Sequence, residues 1–389
     1  MPFPFGGETS GFFNFLEFES RLLLWFSVYS VSPCFKDFGF LRVSVPLWWI
    51  LFILYPEFMD PIKLTRRLVD IESISGNEGA VGAELYDELC RLGYTTHKMP
   101  VAHERFNVLA TLDDVPAQIV FSTHMDTVPP FIPSSEDHDN VYGRGSCDAK
   151  GIIAAQIAAC QRLRKEGAAV GMLFLVGEER DSLGAKVANE SPIGSRFMIN
   201  GEPTDNRLAV ASKGALRVEV TARGKMAHSA YPHLGDSAIE KLITALDRLR
   251  KMKLPENPEV GPCTLNIGII EGGRAPNVIP DFAKAQLLYR LVGASDELRR
   301  QIPQIVAGLA ETEVVLEIPF MKLQTVPGIE TMVAAFTTDV PALNRWGTPM
   351  LLGPGSIHVA HTDREFISKK ELHEAVDLYC RIAKQVLAS

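Results

Sequence analysis

Histidines and carboxylates in this chain follow short apolar runs, where the strands of an α/β sheet would end. His124 and Asp126 come just after the run 119–121, and both side chains can reach one point because residues i and i+2 of a strand share a face. Asp148 stands among glycines, which allow the backbone to turn tightly around it. Imidazole and carboxylate ligands together suit Zn, or less selectively Co or Mn, so the pattern is typical of a two-metal hydrolase site.

Further acidic residues and a histidine extend the pattern. Glu178 and Glu179 end the apolar run 172–176, Glu202 follows another apolar stretch, and His361 lies near the C-terminus. Each has an ordinary alternative explanation: a His-x-Asp pair is most often a local hydrogen bond, and paired glutamates usually lie on a solvated helix face. The recurrence of these residues after apolar runs instead favours one site at the carboxyl edge of a sheet.

The order of the motifs resembles a known family. The segments HMDTVP, GRGSCDAKG, GEER, NGEPT, GKMAHSAYPHLGDSAI and GPGSIHVAH run from about Met59 to the C-terminus. Together they are similar to the co-catalytic zinc amidohydrolases, which include acetylornithine deacetylase, succinyl-diaminopimelate desuccinylase, aminoacylase and carboxypeptidase G. The resemblance implies a site for two divalent metal ions, with Zn the first choice.

The resemblance also implies a role for each residue of the cluster. The implied ligands are His124 and Glu202 for one metal, Glu179 and His361 for the other, and Asp148 as the bridge between them. In the same resemblance Asp126 orients His124, as the usual partner of a ligating imidazole does, and Glu178 is the general base.

Residues outside the cluster acquire roles by the same resemblance. His228, otherwise an ordinary surface histidine, would reach the active site of the partner subunit and donate to the oxyanion that forms on the amide carbonyl. Asn277 and Arg290 match positions that bind substrate carbonyl or carboxylate groups. The loop Gly353–Ser356, which includes Gly355, would turn its backbone amides towards the substrate carboxylate.

Composition is that of a large α/β enzyme. The 389 residues suffice for two domains, and the net charge of −8 gives no reason to expect nucleic acid as a partner. The six cysteines form no CxxC pair, which indicates free thiols in a reducing compartment and therefore a cytoplasmic protein. Cys147, beside Asp148, is expected to be a packing residue.

Periodicity predicts a two-part α/β fold. Strands alternating with helices in residues 59–206 and 319–389 predict a mostly parallel sheet flanked by helices, which the resemblance identifies as zinc-exopeptidase-like and metal-binding. Asp148 is also expected to cap the helix that runs through Arg164. Between them, residues 207–318 follow a β-α-β-β-α-β order, which suggests a ferredoxin-like insertion. In the resembling family this insertion is a lid that also forms homodimers.

The predicted chemistry is amide hydrolysis by a metal-activated water, with Glu178 moving the proton. The segment from GPGS through His361 to Glu365 most resembles acetylornithine deacetylase and so favours a small N-acyl amino acid as substrate, although Arg364 argues against a cationic side chain. A dipeptidase, a carboxypeptidase or a desuccinylase with the same site remains an alternative. A non-catalytic metal- or peptide-binding scaffold is a more remote one.

Residues 1–58 are composed differently from the remainder. They hold 12 of the 21 phenylalanines and three of the four tryptophans, without helical or alternating periodicity. Their continuous apolar run 47–55 ends at Pro56, short of the roughly 20 residues that a spanning helix needs. Because a well-patterned helix begins just after Met59, we expect this leader not to be part of the fold; a membrane anchor is the alternative.

A chain that begins at Met59 should therefore remain soluble and retain its metal content and activity. Gel filtration and elemental analysis of the shortened and full-length proteins measure this directly. Aggregation or loss of metal in the shortened chain would place the leader within the fold.

Overall fold

The computed structural model describes residues 59–112 and 116–388. The leader 1–58, and with it the expectation that it is dispensable, lies outside the described residues. Within the described residues no helix is both long enough and apolar enough to cross a membrane. The cysteines described there are free thiols, as expected, whereas Cys34 lies outside them.

A six-stranded sheet carries the candidate residues. Its strands, in spatial order, are Thr95–Ala102, Arg105–Thr111, Val170–Leu175, Ile119–His124, Phe197–Asn200 and Thr348–Leu351. The last four are parallel to one another, and the first two add an antiparallel edge. Parallel strands end at the same side of a sheet, so the loops that follow them converge there. The prediction of a mostly parallel sheet is confirmed.

Apolar cores lie on both faces of this sheet. Phe121 belongs to one core and its neighbour Val120 to the other, as the alternation of a strand requires. The first core is completed by the helices Pro61–Val69, Gly79–Arg91, Lys150–Lys165 and Lys369–Leu387. The second is completed by the short helix Leu183–Ala188 and the 3₁₀ turn Val340–Leu343. The sheet is therefore rigidly held, and its edge can position side chains accurately.

The expected helix cap at Asp148 is wrong. The helix Lys150–Lys165 has Ala149 at its N-cap, and no side chain of the described residues caps its amide groups. The carboxylate of Asp148 contacts His124 instead, so it is committed to the side-chain cluster.

Two small three-stranded sheets connect distant parts of the chain. In one, Asn140–Tyr142 lies between Ser135–Glu136 and Phe366–Ser368. In the other, Leu208–Ser212 lies between Met321–Lys322 and Thr331–Ala334. The first brings the C-terminal segment against the region that precedes Asp148.

The inserted segment folds as an antiparallel sheet with helices. Its strands, in spatial order, are Thr264–Gly272, Phe282–Leu291, Gly214–Arg223 and Glu311–Ile318, and its helices are Ala238–Arg250 and Asp296–Ile305. Shorter elements are the pairs Ala227–His228 with Val278–Ile279 and Glu256–Asn257 with Gly261–Pro262, and the 3₁₀ turn Pro232–Leu234. This strand order is that of a ferredoxin-like fold, so the predicted fold class is confirmed. The exact domain limits at residues 207 and 318 stay predictions.

Candidate functional site

His124 is the last residue of the strand Ile119–His124 and is buried. Its Nε2 lies 3.0 Å from Oδ1 of Asp148, and its Nδ1 lies 3.0 Å from the backbone carbonyl oxygen of Asp126. Asp148 reaches this position from a glycine-containing loop in which Gly145 has a φ of +87°. The ring is thus held on both nitrogens, with Nε2 towards the bridging candidate.

Asp126 joins the His124 strand to the loop that carries the glutamates. Its carboxylate accepts hydrogen bonds from the Ser75 hydroxyl at 2.6 Å and from the amide groups of Glu178 and Glu179 at 3.1 and 3.2 Å. Its Oδ1 also lies 3.5 Å from Nδ1 of His124. Asp126 therefore positions the predicted base and one predicted ligand as well as the histidine.

His361 completes the cluster from the C-terminal part of the chain. Its Nε2 lies 2.9 Å from Oε1 of Glu179 and 3.4 Å from Oδ2 of Asp148. Its backbone has a φ of +64°, an uncommon conformation for a residue other than glycine that frequently marks functional sites. Asp148 therefore contacts a histidine on each side, one through each carboxylate oxygen.

A metal ion fits among these side chains. One ligand atom each from His124, Asp148 and Glu179 lies within 4.8 Å of the others. Glu202 lies outside that compact group, but it is buried and its Oε1 has no hydrogen-bond partner among the described residues. A buried carboxylate without a donor is costly unless a cation compensates it, so Glu202 also fits a metal ligand.

Ion pairing governs the protonation of the histidines. Burial acts to lower the pKa of His124, but its contacts with Asp126 and Asp148 raise it well above the ordinary value. Contacts with Asp148 and Glu179 raise the pKa of His361 to about 10. Burial opposes ionisation of Asp148, yet hydrogen bonds from both histidines lower its pKa below the ordinary range.

The remaining glutamates have the opposite shift. Burial, and then the nearby charge of Glu202, raise the pKa of Glu178 well above its ordinary value. Burial also raises the pKa of Glu202 well above normal, although His124 counteracts it. A carboxyl group with a raised pKa beside a polar cluster is suited to exchanging protons near neutral pH.

Three predicted residues lie on the inserted domain. His228 and Asn277 are exposed neighbours: the amide of Ser229 donates to the Asn277 carbonyl, and Nδ1 of His228 accepts from the amide of Ala230. Arg290 is half-buried in the strand Phe282–Leu291, where desolvation lowers its pKa. Among the described residues, no hydrogen bond or ion pair joins these three to the cluster around Asp148.

In the predicted substrate-binding loop Gly353–Ser356, the backbone amides of two glycines have partners within the protein. The amide of Gly353 donates to Oγ1 of Thr204 at 3.0 Å, and the amide of Gly355 donates to Oε2 of Glu371 at 3.2 Å. These two amides are bonded within the protein, and a role of the loop in binding a substrate carboxylate stays a prediction. Gly355 is needed for space instead, because a Cβ there would lie 2.5 Å from Sγ of Cys147, which is buried as predicted for a packing residue.

Two buried carboxylates near the site were missed by sequence reasoning. Burial raises the pKa of Asp339 to about 7, and its charge acts on both Glu178 and Glu202. Glu365 is buried and accepts hydrogen bonds from three backbone amides of the loop that carries Asp148. Asp339 stands two residues before Pro341, in a turn-like segment that carries no functional signal. The only signal for Glu365 was its place four residues after His361.

Comparison with known proteins supports the resemblance. A family model described as a peptidase dimerisation domain of the M20 class matches residues 210–315. An M20 peptidase domain-containing protein of Schizosaccharomyces pombe is 39% identical over 345 residues, which cover 85% of each chain. A probable carboxypeptidase of Aspergillus fumigatus is also 39% identical, over 380 residues that cover 84% of this chain and 86% of its own.

Solved structures share the fold. A tripeptidase of Staphylococcus aureus aligns with a TM-score of 0.71 and 23% identity, covering 84% of this chain and 98% of its own. A Bacillus subtilis protein described as a dinuclear metal-binding peptidase of the M20 family aligns with a TM-score of 0.61 and 17% identity, covering 84% and 98%. At these identities the structural likeness establishes the architecture.

Proposed function

The chain belongs to the M20 peptidase family, and we propose that it cleaves short peptides or small N-acyl amino acids by adding a metal-activated water to the amide carbonyl. Family membership confirms the enzyme class predicted from the sequence, a metal-dependent hydrolase of linear amides. The observation that carries the proposal is the convergence of His124, Glu179 and His361 on the carboxylate of Asp148.

The proposed site holds two divalent metal ions, Zn first and Co or Mn as alternatives. The proposed ligands are His124 and Glu202 on one side, Glu179 and His361 on the other, and Asp148 between. Three observations support this assignment: the donor types, the Glu202 oxygen that has no hydrogen-bond partner among residues 59–112 and 116–388, and the likeness to a dinuclear metal-binding peptidase. Such ions, when bound, lower the pKa of a coordinated water and polarise the substrate carbonyl.

Within this proposal the protein side chains move the protons. Glu178 accepts the proton of the attacking water and returns it to the leaving amine. Its backbone amide donates a hydrogen bond to Asp126, next to the proposed ligand Glu179, and the pKa of its carboxyl group is raised. His228, exposed on the inserted domain and without a bond to its own chain's cluster, would donate to the oxyanion in the site of a partner subunit. The match to a dimerisation domain supports the homodimer that this requires.

The two substrate classes rest on different observations. Short peptides are favoured by the relatives named as carboxypeptidases and by the likeness to a tripeptidase. N-acyl amino acids are favoured by the segment from GPGS through His361 to Glu365, on which the resemblance to acetylornithine deacetylase rests. In an N-acyl amino acid, and at the C-terminal bond of a short peptide, the amide to be cleaved lies next to a free carboxylate.

The metal site predicts that replacement of His361 weakens zinc binding. His361→Ala removes an imidazole that contacts two of the other ligands, so the affinity should fall by at least the roughly 10–100-fold known for loss of a supporting residue. Competition with a chromogenic zinc chelator measures the affinity. His358→Ala, an exposed histidine three positions earlier, is the matched control and should bind zinc as the unchanged protein does. Equal affinity of the two variants would remove His361 from the ligand set.

The proposed base predicts that Glu178→Gln abolishes turnover while zinc remains bound. Glutamine keeps the shape of the side chain but cannot accept the proton of the water, so kcat should fall by about 10²–10⁴-fold. Steady-state kinetics together with elemental analysis measure both properties, and Glu190→Gln, at an exposed position, is the control. Loss of a metal would make Glu178 a ligand, and unchanged kcat would exclude it from catalysis.

A substrate panel separates the two classes. With zinc supplied, the protein should release amino acids from dipeptides and tripeptides with a higher kcat/KM than from N-acetyl amino acids, as the names of its relatives indicate. The reverse order, with N-acetylornithine among the better substrates, would establish the deacylase. Absence of cleavage in both sets by zinc-loaded protein would contradict the proposed hydrolysis.

A further inference from the structure

We propose that Glu365 is a positioning residue that fixes the loop 143–148 and thereby sets Asp148 at the distance from His361 that metal binding requires. The inference rests on the proposed function in one respect, the metal site itself. Glu365 would thereby hold two proposed ligands, Asp148 and His361, in one arrangement although they lie far apart in the sequence.

One oxygen of Glu365 organises the loop backbone. Oε1 accepts hydrogen bonds from the amide groups of Gly145 at 2.9 Å, Cys147 at 3.1 Å and Asp148 at 3.1 Å. The last of these joins residues 217 positions apart. A carboxylate that accepts hydrogen bonds from several amides holds a glycine-containing loop in one conformation, although the loop could otherwise adopt many. The direction of the Asp148 side chain follows from that conformation.

The second oxygen of Glu365 has a cationic partner. Oε2 lies 2.6 Å from Nη1 of Arg144, and only 2% of each residue is exposed. A buried carboxylate persists as an anion when it is paired and hydrogen-bonded, and this one is bonded at both oxygens. Glu365 is therefore already fully bonded within the protein, which separates its role from that of Glu202.

The same contacts fasten the segment that carries His361. The amide of Gly143 donates to the Glu365 carbonyl at 3.1 Å, and Nη1 of Arg144 donates to the Thr362 carbonyl at 3.2 Å. Immediately beyond, Phe366–Ser368 pairs with Asn140–Tyr142 as antiparallel strands. Two segments are thus joined along their length, and each ends in a residue of the cluster, at Asp148 and at His361.

Two variants of Glu365 distinguish positioning from mere charge. Glu365→Asp keeps the negative charge but is one methylene shorter, so its carboxylate cannot reach both the amides and Arg144. Glu365→Gln keeps the length and an acceptor oxygen for the amides but loses the charge. If Glu365 acts by position, the aspartate variant is the more damaged; if it acts only by its charge near the metals, the glutamine variant is.

The experiment measures zinc affinity by chelator competition in the full-length protein, and the melting temperature of each variant after its metal has been removed. We expect Glu365→Asp to bind zinc about 10–100-fold more weakly and Glu365→Gln to lose less. The control is Glu88→Gln, because Glu88 is also a buried carboxylate and is paired with Arg67 and Arg91 away from the cluster. It should lower the melting temperature without changing zinc affinity.

Unchanged zinc affinity in the aspartate variant, or a larger loss in the glutamine variant, would overturn the inference. Should Glu365→Asp fail to fold, Arg144→Lys takes its place, since it keeps both charges but disturbs the other anchor of the carboxylate; wild-type affinity there would also overturn it. Failure of the wild-type protein to bind zinc would refute the proposed function itself, which is a distinguishable result.

Discussion

Buried negative charge at the carboxyl edge of the central sheet is the constraint on which this structure depends. Asp126, Asp148 and Glu202 are all at most 5% exposed, and Glu178 stands beside them. Ionised carboxylates are buried at a large cost unless hydrogen bonds or cations compensate them. The fold provides different hydrogen-bond and ion-pair partners for each of these carboxylates, and the type of partner indicates the role of each carboxylate.

The histidines that compensate the negative charge of Asp148 come from parts of the chain that are distant in sequence. His124 arrives from a central strand and His361 from the C-terminal segment, and both contact Asp148. The parallel strands make this convergence unavoidable, because they place their following loops at one edge. The inserted domain lies between these parts in the sequence but does not divide the sheet. The strand Phe197–Asn200, before the insertion, pairs directly with the strand Thr348–Leu351, after it.

Periodicity predicted the helices and buried strands well, because their apolar residues repeat with the geometry of the element. The apolar spacing of residues 78–92 predicts a helix that ends at Gly93, and the structure has a helix at Gly79–Arg91 followed by Gly93 with a φ of +78°. The edge strand Thr95–Ala102 was missed because half of its residues are polar, without alternation, and because it includes Pro100, which only an edge position tolerates.

The site residues could be predicted where their contacts join neighbours in the sequence, but not where the contacts depend on the tertiary structure. His124 and Asp126 share a strand end, so their proximity follows from two residues of spacing. The bonded amides of Gly353 and Gly355 depend on Thr204 and Glu371, which no local pattern connects to them. Glu365 stands in HTDREF, a polar segment that resembles a surface turn, and only the fold reveals that its carboxylate is buried against a loop 217 residues away.

The same functional group therefore has three uses here, and the environment decides between them. Asp126 and Glu365 accept hydrogen bonds from backbone amides, and Ser75 and Arg144 respectively also donate to them, so both carboxylates hold loops in place. Asp148 divides its oxygens between two histidines, the arrangement of a group that can bridge two cations. Glu202 has a buried oxygen without a hydrogen-bond donor in the part of the chain that the structure describes, and a protein tolerates such an oxygen when a bound cation compensates its charge. A carboxylate whose oxygens already accept hydrogen bonds within the protein can only position its neighbours. A buried carboxylate oxygen that lacks such a donor can instead bind a cation.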